Sequence, residues 1–285
     1  MTLGRGDLVL CSGTLPRYTD FRQRIEAARA GGFSGFSLWG RDYWAARREG
    51  FDDADLCTLL DDYGLGVGEI DPAWWWLPGA ADFHLPEDLD TEEVFCYAEG
   101  EMLRLAEAVG ARSLNAVDVF GGSWTDEQAA EGFAALCDRA ADRGLLVHLE
   151  ALPWSRIPDV ARAWEIVRLA DRPNGGVAVD AWHYFRAGAD EASLRAVPGE
   201  RVLGIQLDDG PAAAERNLLE ATLHERLLPG EGEFDLTALM RALLDIGSVA
   251  PVGVEVFSDA LHDLAPVEAA RRAGEATRRL LQGLS

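Results

Sequence analysis

Four apolar runs in the second half of the chain end on, or just before, an oxygen-bearing side chain. Leu145–Glu150 closes on Glu150 and Gly176–Asp180 on Asp180, while Val202–Leu207 carries Gln206 and Val252–Phe257 carries Glu255. A carboxylate buried at the end of an apolar strand is strongly disfavoured unless it is ion-paired or binds a metal. Three carboxylates meeting at one place also repel one another. The chain has no lysine to neutralise them, since all 26 of its basic residues are arginine. One divalent cation would satisfy the whole set. Three carboxylates and one amide oxygen form a hard, oxygen-only ligand set that suits Mn²⁺ or Mg²⁺, with Co²⁺ as a further candidate, whereas zinc draws more histidine or cysteine. The competing reading pairs each acid separately with an arginine.

Further polar groups lie close to these runs. His183 follows Asp180 by three positions and has the pKa range of a general acid or base. His148 lies two residues before Glu150, on the same strand face, and is read either as a group that orients a ligand or as a core histidine. His224 and Arg226 lie in the long loop after the seventh run, where they would clamp a substrate carboxylate or hydroxyl or else form a solvated surface pair. Glu69 and Asp71 end the third run, with substrate hydroxyls or an arginine as alternative partners. His84 and His262 have no chemical context and are assigned to the surface. Aromatic faces stack on sugar or cyclohexane rings, so Trp39, Trp154, Trp182 and one of Trp74-Trp75-Trp76 are candidates for the mouth of a site. Loop packing or an oligomer contact is the alternative for the tryptophan run, and a homo-oligomer is left open.

The elements that must position these groups are legible as an alternation. Eight short apolar runs occur at Leu8–Ser12, Phe33–Leu38, Leu65–Ile70, Ser113–Val119, Leu145–Glu150, Gly176–Asp180, Val202–Leu207 and Val252–Phe257. Near-continuous apolar character suits parallel strands buried on both faces. Amphipathic segments intervene at Phe21–Ala30, Asp53–Tyr63, Glu92–Val109, Asp126–Arg143 with Thr125 as its cap, Ile157–Ala170, Leu236–Ile246 and Pro266–Leu284. Six of these stop at Gly or Pro. The pattern predicts an α/β fold, a (β/α)8 TIM barrel in a single domain spanning residues 1–285. A doubly wound open sheet is the competing fold, but the turn after the first run, Cys-Ser-Gly-Thr-Leu-Pro, is not a phosphate-binding glycine turn. The least regular stretches, Asp71–Asp90 and Asp208–Asp235, follow the third and seventh runs, on the face where barrel active sites lie.

The ordered set Glu150, Asp180-Ala181-Trp182-His183, Gln206, Glu255 resembles the xylose-isomerase-like barrels, which include ketose 3-epimerases, inosose dehydratase and sugar-phosphate isomerase/epimerase proteins. The resemblance runs over the whole chain. It is sharpest at Val147–Glu150, Val179–His183, Ile205–Asp209, Leu228–Asp235 and Val254–Phe257. It implies that Glu150, Asp180, Gln206 and Glu255 bind the metal and that His183 faces the substrate. Gln206 departs from the ketose epimerases, which carry His there. Glutamine at this place, with His224–Gly230 before the turn, is similar to bacterial 3-dehydroshikimate dehydratases. The histidine-rich three-zinc endonuclease IV branch fits poorly with five histidines and a net charge of −23.

The expected chemistry is proton abstraction next to a carbonyl. The metal polarises a hydroxy-ketone and stabilises the enediolate, with Glu150, Glu255 and His183 as catalytic groups and His224, Arg226, Trp182, Glu69 and Trp154 as substrate contacts. Return of the proton elsewhere makes an isomerase or epimerase of a non-phosphorylated sugar or polyol ketone. Loss of a β-hydroxyl makes a lyase of the 3-dehydroshikimate or inosose dehydratase type. A metal-free ligand-binding barrel is the third reading. Schiff-base catalysis is excluded without lysine. The acidic, glycine-free turn Phe257–Ala260 argues against a phosphorylated substrate. The charge disfavours nucleic acid and anionic membranes as partners. No apolar run approaches a membrane span, and the first ten residues do not read as a signal peptide. Cys11, Cys57, Cys96 and Cys137 are read as buried free thiols in a reducing, cytoplasmic setting.

Overall fold

Each of the eight apolar runs overlaps a strand: β1 (Leu8–Leu10), β2 (Gly35–Trp39), β3 (Gly66–Ala73), β4 (Ser113–Ala116), β5 (Leu146–Glu150), β6 (Gly175–Asp180), β7 (Val202–Leu207) and β8 (Val252–Val254). All neighbours are parallel, and β8 returns to β1 to close the barrel. The structure, a computed structural model, describes residues 3–80, 93–119, 121–213 and 217–284. The expected barrel is therefore observed, and the open sheet is set aside. Among the described residues no helix is long and apolar enough to cross a membrane.

The helices are α1 (Phe21–Gly31), α2 (Gly40–Arg48), α3 (Asp53–Tyr63), α4 (Glu99–Ala108), α5 (Asp126–Ala141), α6 (Val160–Ala170), α7 (Ala181–Arg186), α8 (Glu191–Arg195), α9 (Leu218–His224), α10 (Leu236–Asp245), α11 (Asp259–His262) and α12 (Pro266–Gln282). Side-chain caps set most of their starts. Asp20, Asp52, Thr125 and Asp235 each accept a hydrogen bond from a backbone N–H in the first turn of α1, α3, α5 and α10. α6 begins at Val160 rather than Ile157 because Asp159 is its cap and accepts from the Arg162 N–H. α4 begins at Glu99, where the Glu101 carboxylate reaches back to the Ala98 N–H; the expected start at Glu92 lies outside the described residues. The sequence pattern missed α2, α7, α8, α9 and α11, four of which are too short to show a helical period.

Cys11 and Cys137 are buried free thiols as expected, but Cys57 is half-buried and Cys96 is exposed. Inside the barrel, His148 on β5 reaches across to β7. A methyl group at Gly204 would lie 2.2 Å from His148 Nδ1, so this position on β7 is kept without a side chain.

Candidate metal and catalytic centre

The strand ends open into a cavity of about 270 Å³ lined by Trp39, Asp71, Glu150, Trp154, His183, Arg226, Glu255 and Phe257, with Arg17 and Arg41 also in its wall. Asp180 ends β6 and caps α7. Its Oδ1 accepts from the His183 N–H at 2.8 Å, which fixes His183 one turn beyond the strand. His183 Nε2 then lies 3.6 Å from Glu150 Oε1. Donor atoms of Glu150, Asp180 and His183 all lie within 4.8 Å of one another. The β6–β7 register sets Gln206 beside Asp180, and β8 sets Gly253 beside Gln206, two residues before Glu255.

A guanidinium threads this acid cluster. Arg226 Nη1 donates to Asp208 Oδ2 at 2.7 Å and to Asp180 Oδ2 at 3.0 Å, and lies 3.6 Å from Glu255 Oε2. The arginine pairing weighed as the competing reading is thus present for Asp180 and Glu255, through one buried arginine. The donor set still fits a hard cation. Gln206 Oε1 is buried and has no hydrogen-bond partner among the described residues. Glu150 is held by Asn115 Nδ2 at 2.6 Å on one oxygen, with its other oxygen facing His183. A carboxylate has about four lone-pair sites, so Asp180 can accept two hydrogen bonds and still ligate.

Burial dominates the titration of this centre. It pushes the Glu150 carboxyl well up, helped by the charges of Asp180 and Asp71. Glu255 and Asp208 are raised by burial too, with Arg226 opposing in each case. Asp71 is raised to about 7 by burial and by Glu69, against the hydrogen bonds it accepts from Asn115 and Trp39. Burial takes His183 down to about 4, leaving a neutral imidazole.

These shifts fix a pH dependence. A carboxyl raised in the fold contributes stability that is fully present below its unfolded value and is lost as pH rises through its folded value, about 7 for Asp71. His183 is depressed, so its contribution is present above its ordinary 6.5 and is lost as pH falls through about 4. Chelator-treated protein is therefore expected to lose melting temperature between about pH 6 and 8. Saturating Mn²⁺ is expected to reduce that loss, since a cation favours the ionised form of the carboxylates that would ligate it, Glu150 and Glu255. Thermal melts across this range, with chelator and with Mn²⁺, check both. A chelated protein whose melting temperature keeps climbing to pH 8 would contradict the electrostatic picture.

Several expected site residues lie elsewhere. Trp182 is fully buried behind the site, where its Nε1 donates to Thr222 Oγ1 at 2.8 Å, so it packs α7 against α9 and does not line the cavity. His224, the last residue of α9, points to a surface cleft and pairs with Asp259 at 2.9 Å, whereas Arg226 two residues on is buried. Glu69 lies beneath the cavity, not in its wall: its Oε1 accepts from Gln206 Nε2 at 3.2 Å, and its Oε2 is 3.2 Å from His148 Nε2. None of Trp74, Trp75 and Trp76 lines the mouth; Trp76 is buried and donates to the Val117 carbonyl. His262, assigned to the surface, lies in the cavity wall, and its Nε2 is 2.9 Å from the Gly13 carbonyl. His84 lies outside the described residues. Trp154 does line the mouth, edge-on to His183. Sequence reasoning missed Asn115, which bridges Asp71 and Glu150, and gave no role to Asp208 or Arg41.

The sequence matches the family model described as xylose isomerase-like TIM barrel over residues 25–281. The chain belongs to the xylose isomerase-like TIM barrel family. Within that family it is 29% identical to a 3-dehydroshikimate dehydratase of Pseudomonas putida over 255 residues, covering 88% of this chain and 37% of the relative. It is 30% identical to an inosose isomerase of Bacillus subtilis over 144 residues, half of each chain. A solved IolI protein with bound zinc superposes with a TM-score of 0.82 at 20% identity, over 98% of this chain and 99% of that one, which shows the shared fold. The xylose isomerase-like chain thus spans little more than a third of the length of the dehydratase it matches.

Proposed function

We propose that this xylose isomerase-like barrel is a divalent-metal-dependent dehydratase of a carboxylated cyclic hydroxy-ketone, of the 3-dehydroshikimate type. The observation that carries the reading is the make-up of one cavity: an acid cluster and a neutral imidazole at its floor, and two guanidinium groups, Arg17 and Arg41, in its wall. Arg41 is held over the Trp39 ring, 3.5 Å from Asp42, and a guanidinium so placed in a cavity wall suits a ring carboxylate, which a neutral polyol ketone does not offer. The match to a 3-dehydroshikimate dehydratase over 88% of this chain supports the same substrate class.

Glu150, Asp180, Gln206 and Glu255 would hold a divalent ion, which when bound would supply Lewis acidity for the substrate carbonyl. The chain's own groups do the rest. Arg17 and Arg41 orient the carboxylate, and Trp39 and Trp154 cover the ring and exclude water. The His183 imidazole takes the α-proton, and the Glu150 carboxylate, 3.6 Å from its Nε2, stabilises the imidazolium that forms. Asp71 keeps a proton near neutral pH and gives it to the departing β-hydroxyl. The C–H electron pair becomes the new C=C bond, the C–O bond breaks, and water leaves.

Isomerisation or epimerisation of a neutral polyol ketone is the second reading, favoured by the inosose isomerase match over half the chain. It shares the first proton abstraction, with Glu150 and Glu255 serving opposite faces of the substrate. Mixing Mn²⁺-loaded protein with 3-dehydroshikimate is expected to raise the ultraviolet absorbance of a conjugated product. No absorbance change from protein that turns over an inosose would sink the dehydratase reading and leave the isomerase.

A further inference from the structure

We propose that Glu69 is a positioning residue that decides which end of the Gln206 amide faces the metal centre. The inference rests on the metal-binding part of the reading above and adds a determinant of ligand orientation on the opposite wall of the barrel. The two ends of a glutamine amide have nearly the same shape and opposite chemistry: the oxygen accepts and can ligate, while the NH₂ donates and repels a cation. Packing alone distinguishes them poorly, so the hydrogen-bond partners decide.

Gln206 is buried on β7, and Glu69 lies across the barrel on β3. An ionised carboxylate only accepts. Gln206 Nε2 donates to Glu69 Oε1 at 3.2 Å, and Gln206 Oε1 is left buried without a hydrogen-bond partner among the described residues. Glu69 has two close neighbours. Cys11 Sγ donates to its Oε1 at 3.7 Å, and His148 Nε2 lies 3.2 Å from its Oε2. His148 reaches that far only because Gly204, two residues before Gln206, has no side chain to meet its ring. The Gly204-x-Gln206 spacing on β7 therefore serves one arrangement: the glycine admits His148, His148 packs beside Glu69, and Glu69 takes up the amide NH₂, which leaves the oxygen as the unbonded end of a residue in register with Asp180.

Glu69→Gln keeps the shape and supplies a donor, so the Gln206 amide is free to turn its NH₂ toward the cation. Partners of this kind are typically worth about 10–100-fold in metal affinity, and a loss of that size is expected for Mn²⁺ binding, read by the paramagnetic resonance signal of free Mn²⁺. The exchanged pair, Glu69→Gln with Gln206→Glu, again sets one donor against one acceptor and leaves an oxygen for the ion. It is expected to recover affinity to within several-fold of the parent protein, a rescue that a purely structural role for Glu69 does not produce. Circular dichroism and melting of the chelated proteins report the fold separately. Should E69Q alone fail to fold, the exchanged pair is the variant to read, and its failure to fold or to bind Mn²⁺ overturns the proposal. Unchanged affinity in E69Q overturns the role of Glu69 and leaves the metal-dependent function standing. A parent protein that binds no divalent ion overturns both.

Discussion

Arg226→Met is expected to destabilise the chelator-treated protein by about 3–5 kcal/mol at pH 8, because removing one partner of a buried ion pair strands the other. Here one guanidinium serves three acids, with Nη1 at 2.7 Å from Asp208, 3.0 Å from Asp180 and 3.6 Å from Glu255. Its Nε is also committed, donating to the Thr222 carbonyl at 3.1 Å, so the side chain ties α9 to the strand ends. Methionine fills much of the volume but leaves the carboxylates to their mutual repulsion. Burial already raises Glu255 and Asp208, and without the arginine they protonate more readily, so the loss is expected to be smaller at pH 5 than at pH 8. Saturating Mn²⁺ is expected to return part of it. Denaturant midpoints at the two pH values, with and without Mn²⁺, measure all of these. A loss below about 0.5 kcal/mol at pH 8 would mean that Arg226 is not the counter-charge of the cluster.

The second large effect concerns His183, which has two candidate roles. Its imidazole is neutral, edge-on to Trp154 at a centroid distance of 5.3 Å, and Nδ1 has no hydrogen-bond partner among the described residues. It also stands within ligand distance of Glu150 and Asp180. As the base, it is expected to carry about 10²–10⁴-fold of the rate. His183→Asn is therefore expected to lower kcat on 3-dehydroshikimate by that factor, while Mn²⁺ affinity stays within about tenfold of the parent. A collapse of Mn²⁺ binding in this variant would instead make His183 a ligand, and the proton would have to be taken by Glu150 or Glu255.

The barrel was readable because parallel strands buried on both faces must be apolar throughout, and eight such runs leave few alternatives. The strand-end acids were readable for the same reason, since Glu150 and Asp180 interrupt an apolar pattern that has no other use for charge. Asn115 was not readable: it sits inside β4 as an unremarkable polar residue, and its role exists only because β3 and β5 bring Asp71 and Glu150 to either side of it. Arg226 was singled out, but its direction was not. A loop residue can face solvent or the centre, and only the return of α9 over the strand ends turns it inward while His224 turns out. Trp182 misled in the opposite way. Its neighbours Asp180 and His183 belong to the centre, but on a short helix the intervening side chain points back into the protein, toward Thr222. Glu69 follows the period-two rule of a strand. It lines a small space inside the barrel with His148, below the residues that meet the cavity.

The most direct test of a shared cation is a crystal of the protein grown with Mn²⁺ and examined for anomalous scattering. One peak is predicted, within bonding distance of Glu150, Asp180, Gln206 Oε1 and Glu255, with Arg226 moved off Asp180. Well-ordered strand ends with no such peak, and Arg226 still lodged among the carboxylates, would contradict the account.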